Sequence, residues 1–143
     1  MTTIVRLIAV VALVGFATMS EAADLVKYTN IDTAQARELI AKGVKVVDVR
    51  RIDEWRDTGV IEGAALITAF DARGRFDPDF PAAFAAVVGP DEDVVVICRV
   101  GGRSRVISQL LTERAGYTRI YNATGGMMSW IADGNPVTSC PTC

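Results

Sequence analysis

The sequence has no histidine among its 143 residues. That absence excludes imidazole-based metal sites, catalytic dyads and triads, and leaves any general base to another residue or to the substrate. Cysteine is scarce: there are only three, so the chain is not a disulfide-stapled scaffold, and the two at the C-terminus cannot close a tetrahedral metal shell alone. No metal and no cofactor is expected. Excess positive charge is also missing, with 15 Lys and Arg against 17 Asp and Glu for a net charge of −2. Without a basic field to gather phosphates, nucleic acid is not an expected partner. Internal repeats and low-complexity segments are absent, and no apolar run past the N-terminus is long enough for a membrane span.

Half of the residues are apolar and 22% are charged, the composition of a folded domain. The N-terminus reads as a targeting segment. Arg6 supplies positive charge, residues 7–16 are almost wholly apolar, and Ser20-Glu21-Ala22 places small residues where a signal peptidase cuts. Residues 1–22 are therefore expected to be a signal peptide and the protein to be exported, in a periplasmic setting. The competing reading is an uncleaved anchor, which the apolar run disfavours by falling short of the roughly 20 residues a span needs. Residues 23–137 then form one domain, large enough to bury about two-thirds of its unfolded surface in a single core. Residues 138–143 remain as a C-terminal tail.

Asp32, with Gln35 three residues on, predicts a capped helix over residues 32–42. A β-branched run over 44–49 and a short one over 64–67 predict strands, the first delivering Asp48 and Arg50 to a loop. A loop over 71–79 leads into an apolar helix over 80–88. The four aliphatic residues 94–97 predict a central strand, followed by a helix over 103–115, a strand over 117–121 and a last helix over 125–130. Strands separated by helices imply parallel pairing with helices on both faces, a three-layer α/β domain.

The chemistry begins where the central strand ends. Cys98-Arg99-Val100-Gly101-Gly102-Arg103-Ser104 is a tight loop opening a helix, and the carboxyl ends of strands in open α/β sheets form the ligand crevice. Unpaired N–H groups at the helix start, the two glycines that let the loop amides curl inward, and the guanidinium groups of Arg99 and Arg103 would all favour anionic sulfur at Cys98. A thiolate so held can attack sulfur, and the same donors would hold an anionic substrate without a histidine base. Arg105, further along the helix, reads as a solvated charge. Trp55 and Trp130 read as packing, and Met127 and Met128 as gap fillers behind the last helix.

The Cys98–Ser104 loop resembles the active-site loop of the rhodanese family, and three further segments agree with it in order. Val47-Asp48-Val49-Arg50, followed by Glu54-Trp55, is similar to the family's first strand and following loop. Gly59-Val60-Ile61-Glu62-Gly63-Ala64 is similar to its second motif. Gly125-Gly126-Met127-Met128-Ser129-Trp130, ending in Gly134-Asn135-Pro136-Val137, is similar to its C-terminal signature. The resemblance implies a rhodanese-like domain whose central parallel sheet is flanked by helices. It also implies a ping-pong sulfurtransferase in which Cys98 takes sulfane sulfur from a small anionic donor such as thiosulfate and passes it to a thiol or cyanide. On that resemblance Gly101, Gly102 and Arg103 form the cradle, Val100 and Ser104 join them as substrate-binding residues of the loop, Arg99 helps bind the oxyanion donor, and Asp48 with Arg50 braces the site. Val60 stands where the family often has histidine. The spacing of four residues between Cys98 and Arg103 sets the loop apart from the longer one of related phosphatases and arsenate reductases.

Two alternatives stay open. One is a rhodanese-like module that carries persulfide sulfur or docks on a redox protein partner without turnover. The other concerns Cys140-Pro141-Thr142-Cys143 at the terminus, a candidate redox pair. An exported chain permits a local disulfide there, and the sharper reading is that one of these thiols relays sulfur from Cys98.

Overall fold

In the computed structural model, which describes residues 28–143, five strands alternate with five helices. In chain order these are β1 (Thr29–Ile31), α1 (Thr33–Ala41), β2 (Lys45–Asp48), α2 (Ile52–Thr58), β3 (Ala65–Leu66), α3 (Phe80–Ala85), β4 (Val94–Ile97), α4 (Gly102–Arg114), β5 (Ile120–Ala123) and α5 (Gly126–Ala132). The leader expected over residues 1–22 lies outside the described residues.

All strand pairs are parallel and the spatial order is β1-β5-β4-β2-β3. Covered on both faces, β4 needs no polar alternation, and each of its four residues is essentially inaccessible to solvent. Its pleat still divides the core. Val94, Val96 and Cys98 face a cluster with Phe80, Phe84, Ile107 and Leu111, while Val95 and Ile97 face one with Ala36, Met127 and Trp130. This is the three-layer α/β arrangement expected from the sequence.

From β2 the chain runs outward to β3 at one edge; from β4 it runs to β5 on the opposite side. Strand order therefore reverses between β2 and β4, and in such sheets the crevice at the carboxyl ends of the diverging strands is where ligands bind. The sequence places Asp48 at the end of β2 and Cys98 just past the end of β4, and the two strands are in register with Asp48 beside Ile97.

The first helix has the predicted cap: Asp32 Oδ1 accepts from the Gln35 amide at 2.9 Å and Gln35 Oε1 accepts from the Asp32 amide at 3.0 Å. Four details differ from the sequence reading. Strand β1 was not expected, because Thr29, Asn30 and Ile31 carry too short a pattern; its ladder to β5 and an Asn122 to Asn30 side-chain bond of 2.8 Å hold it in place. The segment holding Glu54 and Trp55 is the helix α2 and not a loop. The helix expected over 80–88 ends at Ala85, and Lys45 Nζ donates to the freed Val87 carbonyl at 2.8 Å. The strand expected over 117–121 starts only at Ile120. There, Tyr117 turns into the core, its hydroxyl donating to the Val88 carbonyl at 2.9 Å and its ring meeting Phe84 edge-on at 5.2 Å.

Phe84 is fully buried between α4 and Tyr117. Phe84→Ala is expected to destabilise the fold by about 3–5 kcal/mol, read as a lower urea midpoint at unchanged slope. A loss below about 1 kcal/mol would show that this cluster does not carry the core.

Candidate active site

Cys98 is buried, with 1% of its surface exposed. Its Sγ accepts the Gly101 amide at 3.2 Å, and the Ser104 hydroxyl lies 3.4 Å away. That hydroxyl also lies 3.2 Å from the Gly101 carbonyl, so its single proton is shared between sulfur and backbone. The amides of Val100, Gly102, Arg103 and Ser104 have no backbone acceptor among the described residues, because helix pairing begins with Arg105 donating to Gly101.

The loop is shaped from behind by α5. The Met127 amide donates to the Cys98 carbonyl at 2.8 Å and the Met128 amide to the Arg99 carbonyl at 3.0 Å. This approach requires glycine at Gly126, which adopts φ +58° and where a Cβ would press into the Cys98 and Arg99 carbonyls. Gly101 is required equally: it sits at φ +89°, and a Cβ there would overlap the Thr124 carbonyl. Gly102, expected to share that role, does not. A Cβ at Gly102 meets nothing within 4 Å, so only one of the two loop glycines is dictated by space.

The guanidinium of Arg103, expected from the sequence to favour an anion at Cys98, is committed elsewhere. Its Nη1 and Nη2 donate to the Glu54 carboxylate at 2.7 and 2.6 Å, a two-pronged pair with Glu54 13% and Arg103 25% exposed. The hydrogen bond to Glu54, reinforced by negative charge nearby, raises the Arg103 pKa, although burial opposes it. At Glu54 burial is the largest influence and disfavours the carboxylate. The bonds from Arg103 and from the Arg51 amide outweigh it, so the pKa lies below the ordinary value. Glu54 is the site residue that the sequence reading passed over. Its signal was the i, i+3 spacing from Arg51, whose amide it accepts at 3.1 Å at the start of α2.

Asp48 and Arg50 do not touch the sulfur. They form a buried pair, each 1% exposed, with Arg50 Nε and Nη2 donating to Asp48 at 2.9 and 2.7 Å. Arg50 also donates to Thr58 Oγ1 at 2.7 Å and to the Gly59 carbonyl at 2.8 Å. The pair therefore pins the C-terminal end of α2 to the end of β2, and α2 in turn presents Glu54 to Arg103. Bracing is indirect, through a helix.

Beside the loop opens a cleft of about 390 Å³, walled by α2 on one side and by Arg99, Met127 and Met128 on the other. Arg99 and Val100 are exposed, whereas Cys98 is not among the residues that line the cleft. Met128, expected as a gap filler, is 45% exposed at the cleft wall, while Met127, Trp55 and Trp130 are buried. Val60 pairs its backbone with Thr138 at 2.9 and 2.8 Å. Cys140 and Cys143 form a disulfide with each other, and Arg56 of α2 donates to the Cys143 carbonyl at 3.1 Å.

Residues 32–133 match the sequence family described as the Rhodanese-like domain. The chain is 32% identical over 111 residues to thiosulfate sulfurtransferase GlpE of Actinobacillus pleuropneumoniae, covering 77% of this chain and 93% of that one. It is 34% identical over 107 residues to the mitochondrial protein HIGH ARSENIC CONTENT 1 of Arabidopsis thaliana, covering 73% of this chain and 62% of that protein's length. Among solved structures, Rv0390 from M. tuberculosis superposes with a TM-score of 0.68 at 26% identity, covering 78% of this chain and 97% of that one.

Two outcomes are expected from this geometry. Gly101→Ala should cost well over about 1 kcal/mol, since a left-handed backbone and a steric clash combine there, whereas Gly102→Ala should stay within about 1 kcal/mol of wild type. Equal urea midpoints for the two variants would contradict the packing described. Because the folded Glu54 pKa lies below its unfolded value of about 4.3, its stabilising contribution is present above that pH and is lost as pH falls through the folded value. Wild type should therefore exceed Glu54→Gln in stability at pH 7, with the margin shrinking as pH is lowered below about 4.3. A margin independent of pH would show that the carboxylate charge is not what holds Arg103.

Proposed function

We propose a route of sulfur transfer for this chain, which belongs to the rhodanese-like domain family. At the level of the family the chemistry is that of a sulfurtransferase. The finer reading is that Cys98 is the sulfur carrier and that a thiosulfate-like anion is the donor. The observation that supports it is a sulfur atom at the reversal point of a parallel sheet, met by the Gly101 amide and by Ser104, with neighbouring loop amides without backbone acceptors among the described residues.

In the first half-reaction the Cys98 thiolate attacks the sulfane sulfur of thiosulfate. The bond between the two donor sulfurs breaks, sulfite leaves with its electron pair, and Cys98 retains a persulfide whose terminal sulfur is anionic. Amides of Val100, Gly102, Arg103 and Ser104 are the donors available to that charge. In the second half-reaction a thiolate or cyanide attacks the terminal sulfur and Cys98 leaves as thiolate, so no oxidant or reductant is consumed. Arg99, exposed and without a side-chain bond among the described residues, is the residue available to meet an oxyanion. Arg103 contributes by fixing the loop against Glu54, its own amide having no backbone acceptor among the described residues. The signal peptide read over residues 1–22 supports an exported, periplasmic location for this activity.

A non-turnover persulfide carrier would use the same first half-reaction and lack the second, so the two readings part on turnover. Thiosulfate should raise the intact mass of the purified protein by one sulfur atom and release one sulfite per chain, and Cys98→Ser should abolish both. Ser104→Ala, which removes one donor to the sulfur, should slow loading by about 10-fold. No mass gain with thiosulfate would reject it as donor; a mass gain without multiple turnovers on added cyanide or thiol would select the carrier reading.

A further inference from the structure

Six charged side chains line the cleft beside Cys98: Arg50, Arg51, Asp53, Glu54, Asp57 and Arg99. Four of them are satisfied by neighbours. Arg50 is held by Asp48 at 2.7 Å, Arg51 and Asp53 hold each other at 2.8 Å, and Glu54 holds Arg103 at 2.6 Å. Arg99 and Asp57 remain; neither has a salt bridge or side-chain hydrogen bond among the described residues, and both are exposed. The cation sits on the sulfur-carrying loop, directly after Cys98. The anion sits on α2, one turn past Asp53 and therefore on the same cleft-lining face. Met127 and Met128 add an apolar, polarisable wall.

From these two unanswered charges on one cleft we infer that it selects a zwitterionic thiol as sulfur acceptor, an amino-acid thiol whose carboxylate meets Arg99 and whose ammonium meets Asp57. The inference rests on the proposed persulfide at Cys98 and specifies what relieves it. A purely anionic acceptor would leave Asp57 opposed to it, and a neutral one would leave both charges unanswered. The transfer balances without a further reagent. The acceptor thiolate attacks the terminal sulfur of the Cys98 persulfide, a new sulfur–sulfur bond forms on the acceptor, and the bond to Cys98 breaks with its electron pair returning to the Cys98 thiolate. Asp57 is a specificity residue in this scheme and takes no part in the bond exchange.

The test uses full-length protein loaded with sulfur and discharged by four small thiols that differ in the charged groups they carry: cysteine, 3-mercaptopropionate, cysteamine and 2-mercaptoethanol. Rates are expressed per thiolate, so that differences in thiol acidity drop out. Cysteine should exceed the single-charge thiols in kcat/KM by about 5-fold, the scale of one solvent-accessible charge pair. Asp57→Asn should erase the preference for cysteine over 3-mercaptopropionate through KM, and Asp57→Glu should retain it. Arg99→Gln should instead erase the preference for cysteine over cysteamine. Binding of S-methylcysteine to the unloaded protein, followed by amide shifts around Arg99 and Asp57, provides a readout that needs no persulfide. Saturable shifts lost in Asp57→Asn support the inference even if Cys98 does not load from thiosulfate. A cysteine preference unchanged in Asp57→Asn, or no shifts with S-methylcysteine, would overturn it while leaving sulfur loading at Cys98 untouched.

Discussion

Two backbone hydrogen bonds set the geometry on which the sulfur site depends: the Met127 and Met128 amides capture the Cys98 and Arg99 carbonyls. A trans peptide unit is planar, with its C=O and N–H directed oppositely. Drawing those two carbonyls toward α5 therefore turns the amides of Arg99 and Val100 away from it. The Gly101 amide reaches the sulfur, and the chain enters α4 with its first donors lacking backbone acceptors among the described residues. The contact is possible because Gly126 lets the two backbones approach, and Gly101 fits beneath the Thr124 carbonyl for the same reason. Two glycines far apart in sequence thus act on one loop.

A second support reaches the loop from the opposite wall. Asp48 and Arg50 are buried together, and burying two charges is favourable only when their remaining hydrogen-bonding capacity is used. Here it is used: Arg50 also donates to Thr58 and to the Gly59 carbonyl. Removing either partner would strand the other and cost about 3–5 kcal/mol, which accounts for so polar a pair at the end of a β-branched strand. What the pair fixes is the end of α2, and α2 carries Glu54 to Arg103. The loop is thereby held at its start by α5 and at its helical end by α2.

The parts of this arrangement visible in the sequence are those carried by local pattern. Val94–Ile97 announces a covered strand because four consecutive β-branched aliphatic residues favour extended backbone buried on both faces, and Asp32 with Gln35 announces a helix start because their side chains answer each other's amides. The Cys98 loop was legible from its glycines and its place after that strand. Strand β1, the turn of Tyr117 into the core and the commitment of Arg103 to Glu54 were not, because each depends on a partner distant in sequence: β5 for the first, Val88 and Phe84 for the second, 49 residues of separation for the third. Charge type told where a guanidinium was available; only the fold told which carboxylate had already taken it.

The pairing of Arg50, Arg51 and Arg103 with Asp48, Asp53 and Glu54 also decides how ligands arrive. Fields from opposite charges a few ångströms apart cancel within a short distance, and what survives is screened within about 8–10 Å at physiological salt. A face built this way projects little long-range attraction, and the net charge of the chain, −2, does not draw anions toward it. Encounter is left to diffusion, and any selection of ligand falls after contact, to the shape of the cleft and to Arg99 and Asp57, which have no side-chain partner among the described residues.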